Sequence, residues 1–131
     1  MNATEPLPSV DADAASQPFF DAAREGRLVV QRCTACQTLQ LGNVICDHCF
    51  ARQFEWIAAS GRATVHSFVV MHLSYHRSFE APYCGAIAEL EEGPRLPVYL
   101  ADQVRPRIGQ KVTLRFAASE AGTAVPVAYQ V

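Results

Sequence analysis

Four cysteines form two Cys-x-x-Cys pairs, and their type and spacing give the sequence its clearest chemistry. Cys33 and Cys36 make the first pair, and nine residues separate it from the second pair, Cys46 and Cys49. Each pair turns two sulfurs to one side of a tight turn, and a hairpin between the pairs folds one over the other. Four thiolates gathered in this way bind one zinc ion, with iron as the competing metal.

A zinc ion held by four protein thiolates has no open coordination position, so such a site holds structure and does no chemistry. His48 lies inside the second pair, but the cysteines already complete the tetrahedron, and we expect an exposed turn histidine. We therefore predict one structural Zn²⁺.

Two other roles for the four cysteines are disulfide bonds and redox chemistry. Disulfides need an oxidising compartment, and residues 1–16 lack the basic start and apolar run of an export signal. A redox-active pair usually occurs once and opens a helix after a buried strand. The pattern favours zinc and a cytoplasmic protein.

Composition and charge limit the function classes. Half of the 131 residues are hydrophobic, but no apolar run approaches the ~20 residues that cross a bilayer, so we expect a globular protein without a membrane. The net charge is −2, and no segment carries a basic excess. Binding to nucleic acid phosphates needs such an excess. We therefore keep a nucleic-acid-binding module, made of a zinc ribbon and an OB-fold, only as the alternative function.

The elements that must position the cysteines begin with a short helix. Residues 1–16 are rich in Ala, Asp, Pro and Ser and predict a disordered tail. Ser16 can cap a helix over residues 17–25, which Gly26 would end. Phe19 and Phe20 lie on its apolar side and must pack on the rest of the chain or on a partner protein.

Strands are predicted on both sides of the cysteine hairpin. Residues 28–31 lead into the first pair, and residues 53–57 leave the second, with Phe54 and Trp56 on one face at period two. This arrangement is the β-hairpin frame of a zinc ribbon.

Short β-strands with turns between them follow from residue 60. In the second of these strands Cys84, Ala86, Ala88 and Leu90 share one face. Pro97 cannot donate to a ladder, so the third strand is an edge or is bulged there. Five strands, the first long enough to bend, predict a closed OB-type barrel, with a five-stranded sandwich as the alternative. The predicted strands are 62–72, 83–91, 96–100, 111–116 and 124–131.

Few residues suit catalysis by this chain alone. Cys84 lies on the apolar face of its strand, where a thiol is usually buried and unreactive. His66 and His72 are roughly 20 Å apart on a straight strand, too far to act together. His76 is the remaining candidate, in the loop at residues 74–82.

Two surface segments are candidates for contact with a partner or ligand. The loop at 74–82 contains Tyr75, His76, Arg77 and Phe79, and in OB barrels the loop after the first strand helps form the ligand face. A basic cluster contains Arg105, Arg107 and Lys111. These cations suit the phosphates of coenzyme A, although exposed charges are commonly only solvated.

The sequence as a whole resembles a known family. FFDAAREGRL, VQRCTACQ, the second cysteine pair, FEW, SGRATVHSFVV, APYCGAIAELEEGPRL and RIGQKV follow in the order found in DUF35 proteins, which join a rubredoxin-like zinc ribbon to an OB-fold. Phe50 stands where the family usually has glycine, and the usual prolines are absent from 41–45. Mainly β structure is thus expected, with a disordered tail (1–16), a helix and lead-in strand (17–31), a zinc ribbon (32–59) and a five-stranded OB-fold barrel (60–131).

The resemblance also implies a function. It implies an accessory subunit of a thiolase-like enzyme, since members of the family look like partners of thiolases, of acyltransferases, of hydratases and of aldolases such as those that shorten steroid side chains. The partner carries the catalytic residues in a hetero-oligomer, a heterotetramer or larger. The small subunit supports assembly and helps to hold the coenzyme A thioester. No catalytic residue is therefore expected in this chain.

Overall fold

The computed structural model describes residues 6–8, 12–101, 105–120 and 122–131. The described part is mainly β, with one helix, a small three-stranded sheet and a closed five-stranded barrel. The elements are α1 (Gln17–Arg24), β1 (Val29–Cys33), β2 (Leu39–Gln40), β3 (Phe54–Ala58), β4 (Arg62–Met71), β5 (Tyr83–Leu90), β6 (Arg95–Leu100), β7 (Lys111–Ala118) and β8 (Ala124–Gln130).

Helix α1 is held at both ends by its flanking residues. Ser16 stands at the N-cap position, as predicted, but its side chain does not cap the helix. The Ser16 N–H instead donates to the Asp13 carboxylate at 2.8 Å, and the Asp13 N–H donates to the Ser16 hydroxyl at 3.1 Å. Gly26 follows the helix with a φ of 76°, which glycine adopts readily.

Among the described residues, no helix is long and apolar enough to cross a membrane.

The small sheet frames the cysteine hairpin. Strand β1 lies in its centre and pairs antiparallel with both β2 and β3. Cys33, at the end of β1, is directly opposite Phe54 at the start of β3. The first cysteine is therefore fixed by the sheet register, as the predicted strands at 28–31 and 53–57 require.

The barrel closes in the strand order β4-β5-β6-β8-β7, which confirms the OB-type prediction over the sandwich. Strand β4 pairs with β5 and with β7, and its register with β5 shifts between Val65 and Ser67. This bulge lets one long strand serve both sides of the barrel. Strands β6 and β8 pair in parallel near Tyr99, whereas the other neighbours are antiparallel.

The core follows the alternation read from the sequence. Ala86, Ala88 and Leu90 of β5 are buried, and the alternate residues of β6, which include Val98, are buried beside them. Val30 of β1 belongs to the same buried cluster as the barrel residues. The small sheet and the barrel therefore share one hydrophobic core.

The Ser-Gly-Arg segment that joins the two parts has a structural role. Gly61 adopts a φ of 84°, and its carbonyl accepts the Leu114 N–H at 2.8 Å. Arg62 donates to the Glu91 carboxylate at 2.6 Å, and this side-chain bond lowers the pKa of Glu91. The positive φ explains the glycine at position 61, and the ion pair with Glu91 explains the arginine at position 62.

The N-terminal segment contributes to the core, contrary to part of the sequence prediction. Leu7 is buried, forms a parallel bridge with Ser119, and donates its N–H to the Ala118 carbonyl at 3.1 Å. Within the segment predicted as a disordered tail, Leu7 is thus docked on the barrel, because burial of one large apolar side chain can hold a segment in place. Positions 1–5 and 9–11 of the predicted tail lie outside the described residues.

Candidate metal centre

The four cysteines of the two pairs meet at one point. Their Sγ atoms all lie within 4.8 Å of one another, and the Cys33–Cys49 and Cys36–Cys46 pairs are each 3.6 Å apart. A tetrahedron with Zn–S bonds of about 2.3 Å has sulfur–sulfur edges of about 3.8 Å. The donor set and its spacing therefore fit one zinc ion with all four positions filled by protein.

Both cysteine pairs are turned by a left-handed residue that follows them. Gln37 has a φ of 68° and donates its N–H to the Cys33 carbonyl, and Phe50 has a φ of 64° and donates to the Cys46 carbonyl. Phe50 thus adopts the left-handed conformation that glycine favours. His48 is exposed, as expected of a turn residue outside the ligand set.

The turns also supply hydrogen bonds to sulfur. The backbone N–H groups of His48 and Cys49 point at Cys46 Sγ, at 3.4 and 3.5 Å. The pKa of the Cys46 thiol falls to about 6, first because of the Cys49 N–H and then because of the His48 N–H. At Cys46 this favours the thiolate, which is the form that binds metal.

Replacing Phe50 by glycine is expected to stabilise the second turn. A left-handed conformation costs a residue with a Cβ about 1–2 kcal/mol, and glycine avoids this cost. Part of the gain is lost, because glycine also raises the conformational entropy of the unfolded chain. The Phe50 side chain is 75% exposed, so its removal costs little packing. We expect a gain of about 0.5–1 kcal/mol, seen as a rise of roughly 2–4 °C in the unfolding temperature of the metal-loaded chain.

Phe50→Ala is the matched control, because it removes the same ring and keeps the Cβ. It should not stabilise the chain. An equal gain from alanine and glycine would contradict the conformational explanation.

The two helix phenylalanines pack inside the chain. Phe19 is buried, and its ring lies 5.1 Å from that of Phe20 and 6.0 Å from that of Phe116 on β7. Phe20 is half-buried against the same core. The prediction of a partner contact at Phe19 is corrected, because the barrel already covers that side chain.

The loop at 74–82 is fastened to the barrel. Phe79 is only 4% exposed and stacks on Tyr83 at 4.6 Å between ring centroids, with Tyr99 at the same distance. His76 contacts Glu120 at 2.6 Å through Nε2. Phe79 is thus an anchor of the loop, which corrects its prediction as a contact residue.

The other predicted contact residues of this loop remain at the surface. Tyr75 is 69% exposed, and Arg77 is exposed and lies 3.4 Å from the Glu120 carboxylate. His76 is half-buried between Ser78 and Glu120. The structure therefore brings His76 and Arg77 together on one carboxylate of the β7–β8 turn.

The basic cluster is exposed throughout. Arg105 and Arg107 lie in the segment before β7, and Lys111 begins that strand opposite Thr64 of β4. Lys111 lines an open cleft of about 480 Å³ that also contains Glu89 and Glu91. The cleft is thus lined by two cations, Arg62 and Lys111, beside the two carboxylates.

The candidates for catalysis by this chain are not gathered into a site. Cys84 is partly buried, and burial raises the pKa of its thiol, as expected of an unreactive cysteine. His66 lies at the β4 bulge and His72 follows the end of that strand, both exposed. In the part of the chain that the structure describes, the cysteine quartet is the only cluster of His, Cys, Asp and Glu with metal-binding spacing.

Sequence reasoning missed an apolar groove on the outer face of β4, β5 and β6. The groove has a volume of about 260 Å³, and its walls include Val69, Ile87, Pro97 and Tyr99, with Gly85 between them. Val69 is 57% exposed. The alternation placed Gly85 and Ile87 on the outer face, but only the barrel brings the three strands into one concave surface.

Comparisons with known proteins match both parts of the chain. A model for the rubredoxin-like zinc ribbon domain of ChsH2 matches residues 20–55, and a model for the C-terminal OB-fold domain of ChsH2 matches residues 56–117. Together the two models cover most of the described fold.

Two curated relatives are longer than this chain. A probable enoyl-CoA hydratase alpha subunit of Thermomonospora curvata is 36% identical over 130 residues, which are 95% of this chain and 40% of that protein. A DUF35 domain-containing scaffold protein of Methanocaldococcus jannaschii is 38% identical over 79 residues, which are 57% of this chain and 55% of that protein. The chain thus spans about half or less of the length of these relatives.

Two solved structures share the fold. The structure described as the Ltp2-ChsH2(DUF35) aldolase aligns with a TM-score of 0.82 and 33% identity, over 92% of this chain and 97% of that one. A DUF35 protein of unknown function from Sulfolobus solfataricus aligns with a TM-score of 0.63 and 18% identity, over 79% and 78% of the two chains. The second likeness is one of fold.

Proposed function

The chain belongs to the DUF35 family, with the zinc ribbon and OB-fold domains of ChsH2, and from this membership we propose that it is a non-catalytic accessory subunit of an acyl-CoA-processing complex. Its partner is a thiolase-like enzyme, such as an aldolase, a thiolase or an acyltransferase. The observation that carries the proposal is the similarity over 97% of the chain solved as part of the Ltp2-ChsH2(DUF35) aldolase.

The chemistry of the chain supports an accessory role. A zinc ion on four thiolates is closed to water and substrate and would hold the ribbon against the barrel. Cys33, Cys36, Cys46 and Cys49 would be its ligands. In the proposed complex, the reacting groups therefore come from the partner, and this chain provides a surface that binds the partner.

The outer face of β4, β5 and β6 is the surface we assign to the partner. An apolar groove of about 260 Å³ beside an exposed Val69 suits a protruding apolar side chain of another protein. Tyr75 and Arg77 lie exposed in the loop that follows β4, and aromatic and arginine side chains are enriched at interfaces. The contact would extend from the groove onto the loop.

As a further part of this function, the chain would help to bind the coenzyme A thioester. Arg105, Arg107 and Lys111 are exposed cations near the start of β7, and they would reach the phosphates of coenzyme A by charge-assisted hydrogen bonds. The thioester would then lie between the two proteins of a cytoplasmic heterotetramer or larger hetero-oligomer.

Co-purification from the native cell, with two point variants, tests the proposal. We expect the tagged chain to carry a thiolase-fold protein in near-equal amounts, and the mixture, but not the chain alone, to turn over acyl-CoA thioesters. Val69→Asp should weaken the complex at least tenfold, because a buried unpaired carboxylate opposes association.

Val44→Asp is the control, since Val44 is an exposed valine on the ribbon, 66% exposed against 57% for Val69. Loss of the partner with Val44→Asp alone would move the contact to the ribbon and contradict the assigned groove. Recovery of nucleic acid in place of a protein would favour the nucleic-acid-binding alternative, and acyl-CoA turnover by the lone chain would show that it is an enzyme.

A further inference from the structure

Three residues with amide side chains form a hydrogen-bonded chain inside the ribbon, in which Gln31 and Gln40 are buried and Asn43 is partly buried. The Gln31 amide of β1 bonds to both backbone groups of Asn43, donating to its carbonyl at 3.0 Å and accepting its N–H at 2.9 Å. The Asn43 side chain in turn donates to Gln40 Oε1 at 2.6 Å. These bonds connect the centre of the small sheet to the segment that enters the second cysteine pair.

The orientation of the Gln40 amide is fixed by its oxygen. Gln40 Oε1 accepts the Asn43 side-chain N–H and also faces the backbone N–H of Asp47 at 3.4 Å. Because an amide oxygen accepts and cannot donate, these contacts assign the opposite corner of the group to the nitrogen. Gln40 is 6% exposed, and its Nε2 is buried without a hydrogen-bond partner among the described residues.

A buried N–H group without an acceptor costs about 1–3 kcal/mol, so an acceptor is expected beside it. Asp47, which faces the Gln40 oxygen, directly follows Cys46, and Cys46 Sγ is fully buried. The same sulfur already receives two backbone N–H groups. A metal-bound thiolate carries the negative charge that a third N–H group would need, whereas a neutral thiol is a weak acceptor.

We propose that Gln40 is a positioning residue of the metal centre, whose Nε2–H donates to the Cys46 thiolate when zinc is bound. The chain Gln31–Asn43–Gln40 holds the amide in place. It thereby connects the sheet register of β1 to the second cysteine pair. Partners of this kind that act on a metal ligand commonly contribute 10–100-fold to metal affinity.

Metal-loaded variants of the full chain test the proposal. Gln40→Met keeps the length of the side chain and removes the donor, together with the oxygen that accepts from Asn43. We expect it to lower zinc affinity about 10–100-fold in competition with a chelating dye. In the Co²⁺-loaded chain, the sulfur-to-cobalt charge-transfer band should shift to lower energy, because the thiolate loses a hydrogen bond that stabilises its electrons.

Gln53→Met is the matched control, since Gln53 is an exposed glutamine of the same ribbon. It should leave both the affinity and the band unchanged. A Gln40→Met chain that binds zinc more weakly but keeps the parent band would overturn the proposal, because packing alone would then explain the loss.

A second measurement needs no variant. With ¹¹³Cd in place of zinc, a hydrogen bond from Gln40 to a cadmium-bound sulfur should give scalar coupling between the metal and the side-chain amide proton. Coupling confined to backbone N–H groups, such as those of His48 and Cys49, would exclude Gln40 as a donor to the site.

Discussion

Cys36→Ser is expected to remove the metal and to unfold the ribbon of the full chain. Structural zinc contributes about 10–16 kcal/mol in small zinc modules, as much as the whole stability of a typical domain. The cysteine hairpin has little regular structure of its own, since β2 contains two residues and β1 and β3 contain five each. Serine cannot replace a thiolate, so three ligands remain and the affinity falls by orders of magnitude.

Metal analysis and the fluorescence of Trp56 check this prediction. The parent chain should contain about one zinc per chain, and Cys36→Ser close to none. Trp56 is the single tryptophan, lies on β3 and packs partly buried against the shared core, so its emission should shift to longer wavelength as the ribbon opens. Hydrogen exchange should rise across β1 and β3 in the variant.

Cys84→Ser is the matched control, because Cys84 lies on β5 and is not among the clustered thiols. It should keep the metal and the tryptophan emission. A parent chain that folds without metal would contradict the central role of the four cysteines, and iron in place of zinc would be seen in the same analysis.

Phe79→Ala is expected to destabilise the chain by about 3–5 kcal/mol, the usual cost of removing a buried phenylalanine. The ring lies on Tyr83 of β5 and Tyr99 of β6, so its loss leaves a cavity across two barrel strands. Thermal unfolding should begin roughly 10–20 °C lower for a change of this size. The loop at 74–82 should also lose its protection from proteolysis.

Tyr75→Ala is the control for this change, since it removes an exposed aromatic from the same loop. It should change the stability by less than about 0.5 kcal/mol, as surface substitutions usually do. Equal stability of the two variants would show that the stacking on Tyr83 and Tyr99 does not anchor the loop.

The two predictions separate the parts of the loop by role. Phe79 belongs to the core, whereas Tyr75 and Arg77 stay at the surface. In the proposed complex, Tyr75→Ala should therefore weaken partner binding while the chain stays folded. Buried and exposed side chains therefore lie close together within this loop.

The metal ligands and the barrel strands were predictable because local rules govern them. A Cys-x-x-Cys turn brings its own two sulfurs together, and strand alternation assigns Ala86, Ala88 and Leu90 to one face without reference to any other strand. The left-handed residues after the two cysteine pairs are also local, although Phe50 in place of glycine concealed one of them.

The outcomes for Leu7, Phe19 and Phe79 depended on the tertiary structure. Aromatic and aliphatic side chains in loops and at helix surfaces have no period, so their burial depends on which distant surface they meet. For Phe79 that surface is a pair of tyrosines on two strands, and for Leu7 it is the turn that contains Ser119.

The hydrogen-bonded amides of the ribbon also could not be predicted from the sequence. Gln31, Gln40 and Asn43 look like ordinary polar residues in the sequence, and nothing in their spacing predicts that they are hydrogen-bonded to one another. A polar group is buried only where its partners are supplied, and here a sheet and a loop supply them from 12 residues apart. The sequence alone determined which residues bind the metal, and only the tertiary structure decided which residues support them.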